Sequence, residues 1–141
     1  MTRLVLDASV IVKWIFPDDR KESNVAQALS ILQGIKEGTI RVLQPPHWLA
    51  EVAAVVSRLA PEQASEAVGL LYAMELPILD EPEVYIRACE LSALLDHHVF
   101  DTLYHAVALC QAETIFLTAD MRYHRKAFAH GSIGMLRDFS S

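Results

Sequence analysis

Glycine, cysteine, basic charge and long apolar runs are all scarce in this chain of 141 residues. The five glycines (Gly34, Gly38, Gly69, Gly131 and Gly134) form neither G-x-G-x-x-G nor a P-loop after the first apolar run, which disfavours nucleotide binding of those kinds. Cys89 and Cys110 have no C-x-x-C spacing and are too few for a disulfide framework; they read as small apolar core residues of a reducing compartment. Acids outnumber Lys and Arg by 18 to 12, a net charge of −6, so the chain is no bulk-charge binder of nucleic acid. No apolar stretch approaches the roughly 18 residues of a membrane span, and the N-terminal run is too short for a secretory signal. Repeats, low-complexity segments and linkers are also missing. The expectation is one cytoplasmic domain over residues 1–141, without a membrane segment.

Hydrophobic residues make up 52% of the chain and charged residues 21%, ample for one core and unlike a disordered composition. Short apolar runs at 3–7, 40–43, 76–79, 114–118 and, weakly, 132–136 read as strands. Between them lie helical patterns: from Ala8, from Glu22 to Lys36 with Gly38 as its stop, from Pro45 and Pro46 to Leu59, from Pro61 to Met74, from Glu83 to Leu95, and from Asp101 to Ala112, with a basic helix after Asp120. Strands alternating with helices predict an α/β fold, a three-layer α/β/α sandwich around a parallel, five-stranded sheet.

In such sheets sites form at the carboxyl ends of strands. Asp7 and Asp120 stand at two of those ends, Asp101 opens the buried helix, and Glu51 lies in a helix beside its apolar stripe. The three aspartates also suit helix N-caps, each worth about 1 kcal/mol, and Glu51 also suits an exposed stripe edge. Gathered in one pocket, four carboxylates would repel one another and their pKa values would rise unless a cation compensated them. Oxygen donors favour Mg²⁺ or Mn²⁺ over zinc. Such a site can activate water and stabilise an in-line phosphodiester displacement. His47 and His105 lie four residues from Glu51 and Asp101, yet form no H-E-x-x-H motif, and His97–His98 reads as loop. Lys13, and the run Arg122, His124, Arg125 and Lys126 after Asp120, could hold an RNA backbone beside an acidic centre; a solvated helix face is the competing reading. Trp14 and Trp48 sit on apolar faces and read as packing residues.

Four segments carry a family resemblance: LDASVIVKW (Leu6 to Trp14), QPPHWLAEVAAVV (Gln44 to Val56), FDTLYHAVAL (Phe100 to Leu109) and IFLTAD (Ile115 to Asp120). In this order, each with its acid, they resemble PIN domain proteins, specifically single-domain VapC-type ribonuclease toxins of toxin–antitoxin pairs. The resemblance spans essentially the whole chain. It implies a five-stranded sheet ordered 3-2-1-4-5 and a Mg²⁺ or Mn²⁺ site built from Asp7, Glu51, Asp101 and Asp120. Asp7 and Asp101 would take the main ion, and Ser9 and Thr118 would orient a carboxylate or water. It further implies an RNA substrate, a cognate antitoxin and a homodimer. Met121 departs from some relatives, which carry an acid or polar residue there. A PIN-like module that binds RNA or a protein without cleaving is the alternative.

Overall fold

The computed structural model describes residues 2–18, 20 and 23–140. The first strand, β1 (Arg3–Leu6), is followed at once by α1 (Ala8–Ile15) and then by α2 (Val25–Glu37). The expected start of α2 at Glu22 lies outside the described residues. Gly38 ends α2 as expected. Its φ of 77° is left-handed, and its N–H bonds back to the last turn. Next come β2 (Arg41–Val42), α3 (Trp48–Leu59), α4 (Pro61–Ala73), α5 (Pro82–Leu95) and α6 (Val99–Cys110). The chain closes with β3 (Thr114–Thr118), α7 (Met121–Ala127) and β4 (Ile133–Met135). Pro45 and Pro46 precede α3 rather than open it; the Pro45 carbonyl accepts from the Trp48 N–H in a tight turn.

The sheet is wholly parallel, but it has four strands, in the order β2-β1-β3-β4, and not the expected five. The segment expected as a strand at 76–79 pairs only through one isolated bridge between Gln44 and Ile78. Pro77 has no N–H to donate, which limits pairing there. The Pro77 carbonyl accepts from the Gln44 N–H at 2.8 Å and the Leu79 N–H donates to the Gln44 carbonyl at 2.9 Å. This bridge stands where the outermost strand was expected, beyond β2.

Leu4, Val5 and Leu6 are consecutive and all buried. Successive strand side chains point to opposite faces, so both faces of β1 are covered. α6 packs against β1 and β3, and α1 packs against β3. α6 is buried from Thr102 to Ala108, as its nearly all-apolar sequence predicts.

Gln44, fully buried, does a strand's work with its side chain. Its Oε1 accepts from the Leu6 N–H at 2.7 Å and its Nε2 donates to the Leu6 carbonyl at 2.9 Å. The end of β1 is thereby satisfied where the backbone of β2 has already turned away. Cys89 is exposed and Cys110 partly so, which corrects their expected burial. The buried stripe of α5 is Val84, Ala88 and Leu91, and Cys89 falls beside it.

Candidate active site

β1 and β3 run side by side with Leu6 opposite Leu117, so their carboxyl ends bring Asp7 next to Thr118. β1 is also where the sheet's strand order reverses, the usual place for a site in an open parallel sheet. Asp7 occupies the N-cap position of α1 without a side-chain capping bond. Its Oδ2 instead accepts from Ser9 Oγ at 2.6 Å and Thr118 Oγ1 at 2.9 Å. Both hydroxyls are themselves tied to the loop after β3. The Ala119 N–H donates to Ser9 Oγ at 3.1 Å, and the Asp120 N–H to Thr118 Oγ1 at 2.9 Å. These bonds fix Asp7 from two directions.

A cleft of about 470 Å³ opens over Asp7 and is lined by Ser9, His47, Glu51, Phe100 and Asp101, with Arg58 at its side. Three of the four expected acids therefore share one cavity. Glu51 faces it from the first turn of α3 and Asp101 from the first turn of α6. Asp101 lies inside its helix and is not its N-cap. The fourth acid, Asp120, does not line the cleft. It caps α7, its Oδ1 accepting from the Tyr123 N–H at 3.1 Å.

Asp7 and Glu51 both hold their protons more tightly than ordinary carboxylates. Burial raises the pKa of Asp7, against the lowering effect of the Ser9 and Thr118 bonds, and the charges of Asp101 and Asp120 raise it further. Glu51 is pushed up to about 7, first by burial and then by the charges of Asp101 and Asp7. The Tyr104 hydroxyl is buried beside Glu51 and has no hydrogen-bond partner of normal geometry among the described residues. Its own pKa is raised by burial and by the Glu51 and Asp7 charges. Hard oxygen donors that repel one another are what a divalent cation relieves, and the donor set fits Mg²⁺ or Mn²⁺. Among the described residues no three His, Cys, Asp or Glu side chains already form a closed coordination cage.

The histidines are engaged otherwise. His47 Nε2 donates to the Phe100 carbonyl at 2.6 Å and lies 3.6 Å from Glu51 Oε1. His105 is fully buried, Nε2 donating to the Gly131 carbonyl and Nδ1 accepting from the Tyr123 hydroxyl. His97, between α5 and α6, donates from Nε2 to Asp101 Oδ2 at 2.8 Å. Tyr104, Gln44 and this use of His97 were not anticipated from the sequence. Only the position of His97 four residues before Asp101 hinted at contact.

The expected backbone-binding cations separate. Lys13 is 4% exposed, enclosed within the fold rather than open to solvent as a phosphate contact requires. Arg122 is exposed, and Lys126 is partly so. Arg125 leans back on its own helix, Nη2 3.1 Å from Met121 Sδ. Trp48 is buried, and Trp14 packs at the edge of the core with Nε1 donating to the Ala28 carbonyl.

No curated protein sequence matches the chain significantly. Its fold is similar to the crystal structure of PAE2754 from Pyrobaculum aerophilum, with a TM-score of 0.66, 14% identity, and 96% of this chain and 90% of that one covered. A family model for the PIN domain matches residues 4–129, which include all of β1 but Arg3, the acidic cleft and Asp120. The chain thus belongs to the PIN domain family.

Proposed function

We propose that this protein is a Mg²⁺- or Mn²⁺-dependent endoribonuclease, the toxin of a type II toxin–antitoxin pair of VapC type. PIN domains are typically nucleases. The observation that carries the reading is the cleft in which Asp7, Glu51 and Asp101 face one another with raised proton affinities at Asp7 and Glu51. Asp7 and Asp101 would hold the ion. When bound, it supplies Lewis-acid stabilisation of the phosphoryl oxygens and lowers the pKa of water.

The chain's own groups do the rest. Ser9 and Thr118 donate to one oxygen of Asp7 and leave its other oxygen free of those bonds. Glu51, poised near neutrality by burial, can take a proton from an attacking water at its carboxylate oxygen. Asp120 adds negative potential at Asp7 without lining the cleft. The antitoxin and dimer parts of the proposal are supported by an apolar groove of about 560 Å³ lined by Trp14, Leu32, Ala67, Leu70, Leu71 and Met74.

Cleavage of a structured-RNA panel with Mg²⁺, Mn²⁺ or EDTA, alongside co-purification to find a bound small protein, tests the reading. Cleavage with either ion, loss in EDTA, and a loss of at least a hundredfold in Asp101→Asn are expected. Cleavage that persists in EDTA, or full activity of Asp101→Asn, overturns it. RNA binding without cleavage by the intact protein would instead support a non-catalytic module, a reading that the capping role of Asp120 favours.

A further inference from the structure

A second, polar cleft of about 480 Å³ lies beside the acidic one, lined by Ser92, Asp96, His97, His98, Arg122 and Lys126. The two clefts meet where His97, which lines the polar cleft, donates from Nε2 to Asp101 Oδ2, which lines the acidic cleft. Arg122 and Lys126 are four residues apart on α7 and so project from one face of that helix. Lys126 is held in place, Nζ donating to the Asp96 carbonyl at 3.1 Å and lying 3.3 Å from His97 Nδ1. The Arg122 guanidinium has no ion-pair or hydrogen-bond partner among the described residues, and the one carboxylate lining the cleft, Asp96, is exposed. Two full cations and two imidazoles thus line a cavity one hydrogen bond away from the acidic cleft. In a chain of net charge −6 this is a local reversal of sign.

We infer that this polar cleft is a subsite for a backbone phosphate of single-stranded RNA flanking the bond to be cut, with Arg122 and Lys126 as its cationic ligands. The inference rests on the ribonuclease reading above. Arg122 offers a planar fork that matches phosphate oxygens. Lys126, anchored on Asp96 and His97, offers a point charge with little freedom left to lose. Ser92 and His98 add further polar groups to the wall. A phosphate seated here lies on the far side of His97 from the reacting centre, so the strand would pass across the Asp101–His97 pair. Arg125, turned onto Met121, takes no part.

Fluorescence anisotropy with a short single-stranded RNA in EDTA, measured across a salt series, tests the subsite. EDTA suppresses the proposed cleavage without altering the chain. For a single strand, each phosphate that a variant no longer neutralises makes the slope of log K against log salt shallower by about 0.7. The double variant is expected to show that change in full, Arg122→Gln and Lys126→Gln each a part of it, Lys126→Arg close to none, and Arg125→Gln none. The same slope in wild type and the double variant overturns the subsite, as does an equal change in Arg125→Gln. RNA cleavage by the wild type with Mn²⁺ is scored separately. Cleavage with unchanged slopes removes the subsite and leaves the nuclease standing, whereas changed slopes without cleavage keep the subsite and remove the nuclease.

Discussion

Replacing Glu51 by Gln should make the metal-free protein more stable at alkaline pH, although it removes a residue of the proposed site. Glu51 has a folded-state pKa of about 7 against 4.5 for an ordinary glutamate. Below pH 4.5 the carboxyl is neutral in both states and costs nothing. Between 4.5 and 7 the unfolded chain ionises first, so stability falls as pH rises, and above 7 the loss is complete. Each pKa unit corresponds to about 1.4 kcal/mol, and 27% of the side chain reaches solvent, so the full loss is about 2–3 kcal/mol. For a chain of this size that is about 6–12 °C in melting temperature. His47 and His105 pull the other way, since burial lowers their pKa and the unfolded chain takes up protons below about 6.5. Comparing Glu51→Gln with wild type removes that common background. Melting curves in EDTA at pH 4, 5, 6, 7 and 8 should show the variant gaining on the wild type as pH rises, with the full difference at pH 8. Added Mn²⁺ should narrow or reverse the gap, because the ion stabilises the intact acidic set more. Parallel pH profiles, or a variant melting below wild type at pH 8 in EDTA, would refute the account of Glu51 as a partly buried carboxylate that costs stability when ionised.

Gln44→Leu keeps the volume but orphans the Leu6 N–H and carbonyl inside the core; a loss of about 2–5 kcal/mol is expected in urea unfolding, and a shift in midpoint equivalent to under 1 kcal/mol would contradict that role. Thr118→Val removes the bonds to Asp7 Oδ2 and from the Asp120 N–H. It should cost about 1–3 kcal/mol by the same assay. It should also raise the Asp7 pKa further and move Mn²⁺ binding, followed by calorimetry, to higher pH. Asp7→Asn can keep both hydroxyl bonds through its amide oxygen, so circular dichroism should show an intact fold while Mn²⁺ no longer raises the melting temperature.

Much of this architecture is legible in local pattern. β1, β3 and the buried α6 announce themselves by composition, and Gly38 stops α2 where a left-handed residue is needed. The partial strand at 76–79 failed for a reason also written locally, since Pro77 removes a donor from the middle of the run. The convergence of Asp7, Glu51 and Asp101 depends on how α3 and α6 dock at the end of the sheet, which spacing along the chain does not encode. Tyr104 was hidden for a related reason. In an almost wholly apolar helix an aromatic residue reads as packing, and nothing nearby in sequence says that its hydroxyl meets Glu51. Asp120 shows the limit from the other side, because the cap pattern and the site pattern are the same residue in the same place. Gln44 opens one of the resembling segments, but nothing in that segment says that its side chain finishes β1, a part that exists only in three dimensions.

The bond between Thr118 and Asp7 spans 111 positions of the chain. β1 is made first during synthesis, but its neighbour β3 arrives only after every helix from α1 to α6 has been added. Closing so long a loop is slow, and long-range parallel pairing gains nothing until both strands are present. Asp7 therefore stays without one of its two hydroxyl partners on any nascent or truncated chain that stops short of residue 118. The end of β1 nearest the carboxylates is among the last parts of the sheet to be completed, and the chain acquires its paired acidic centre only once β3 has been made.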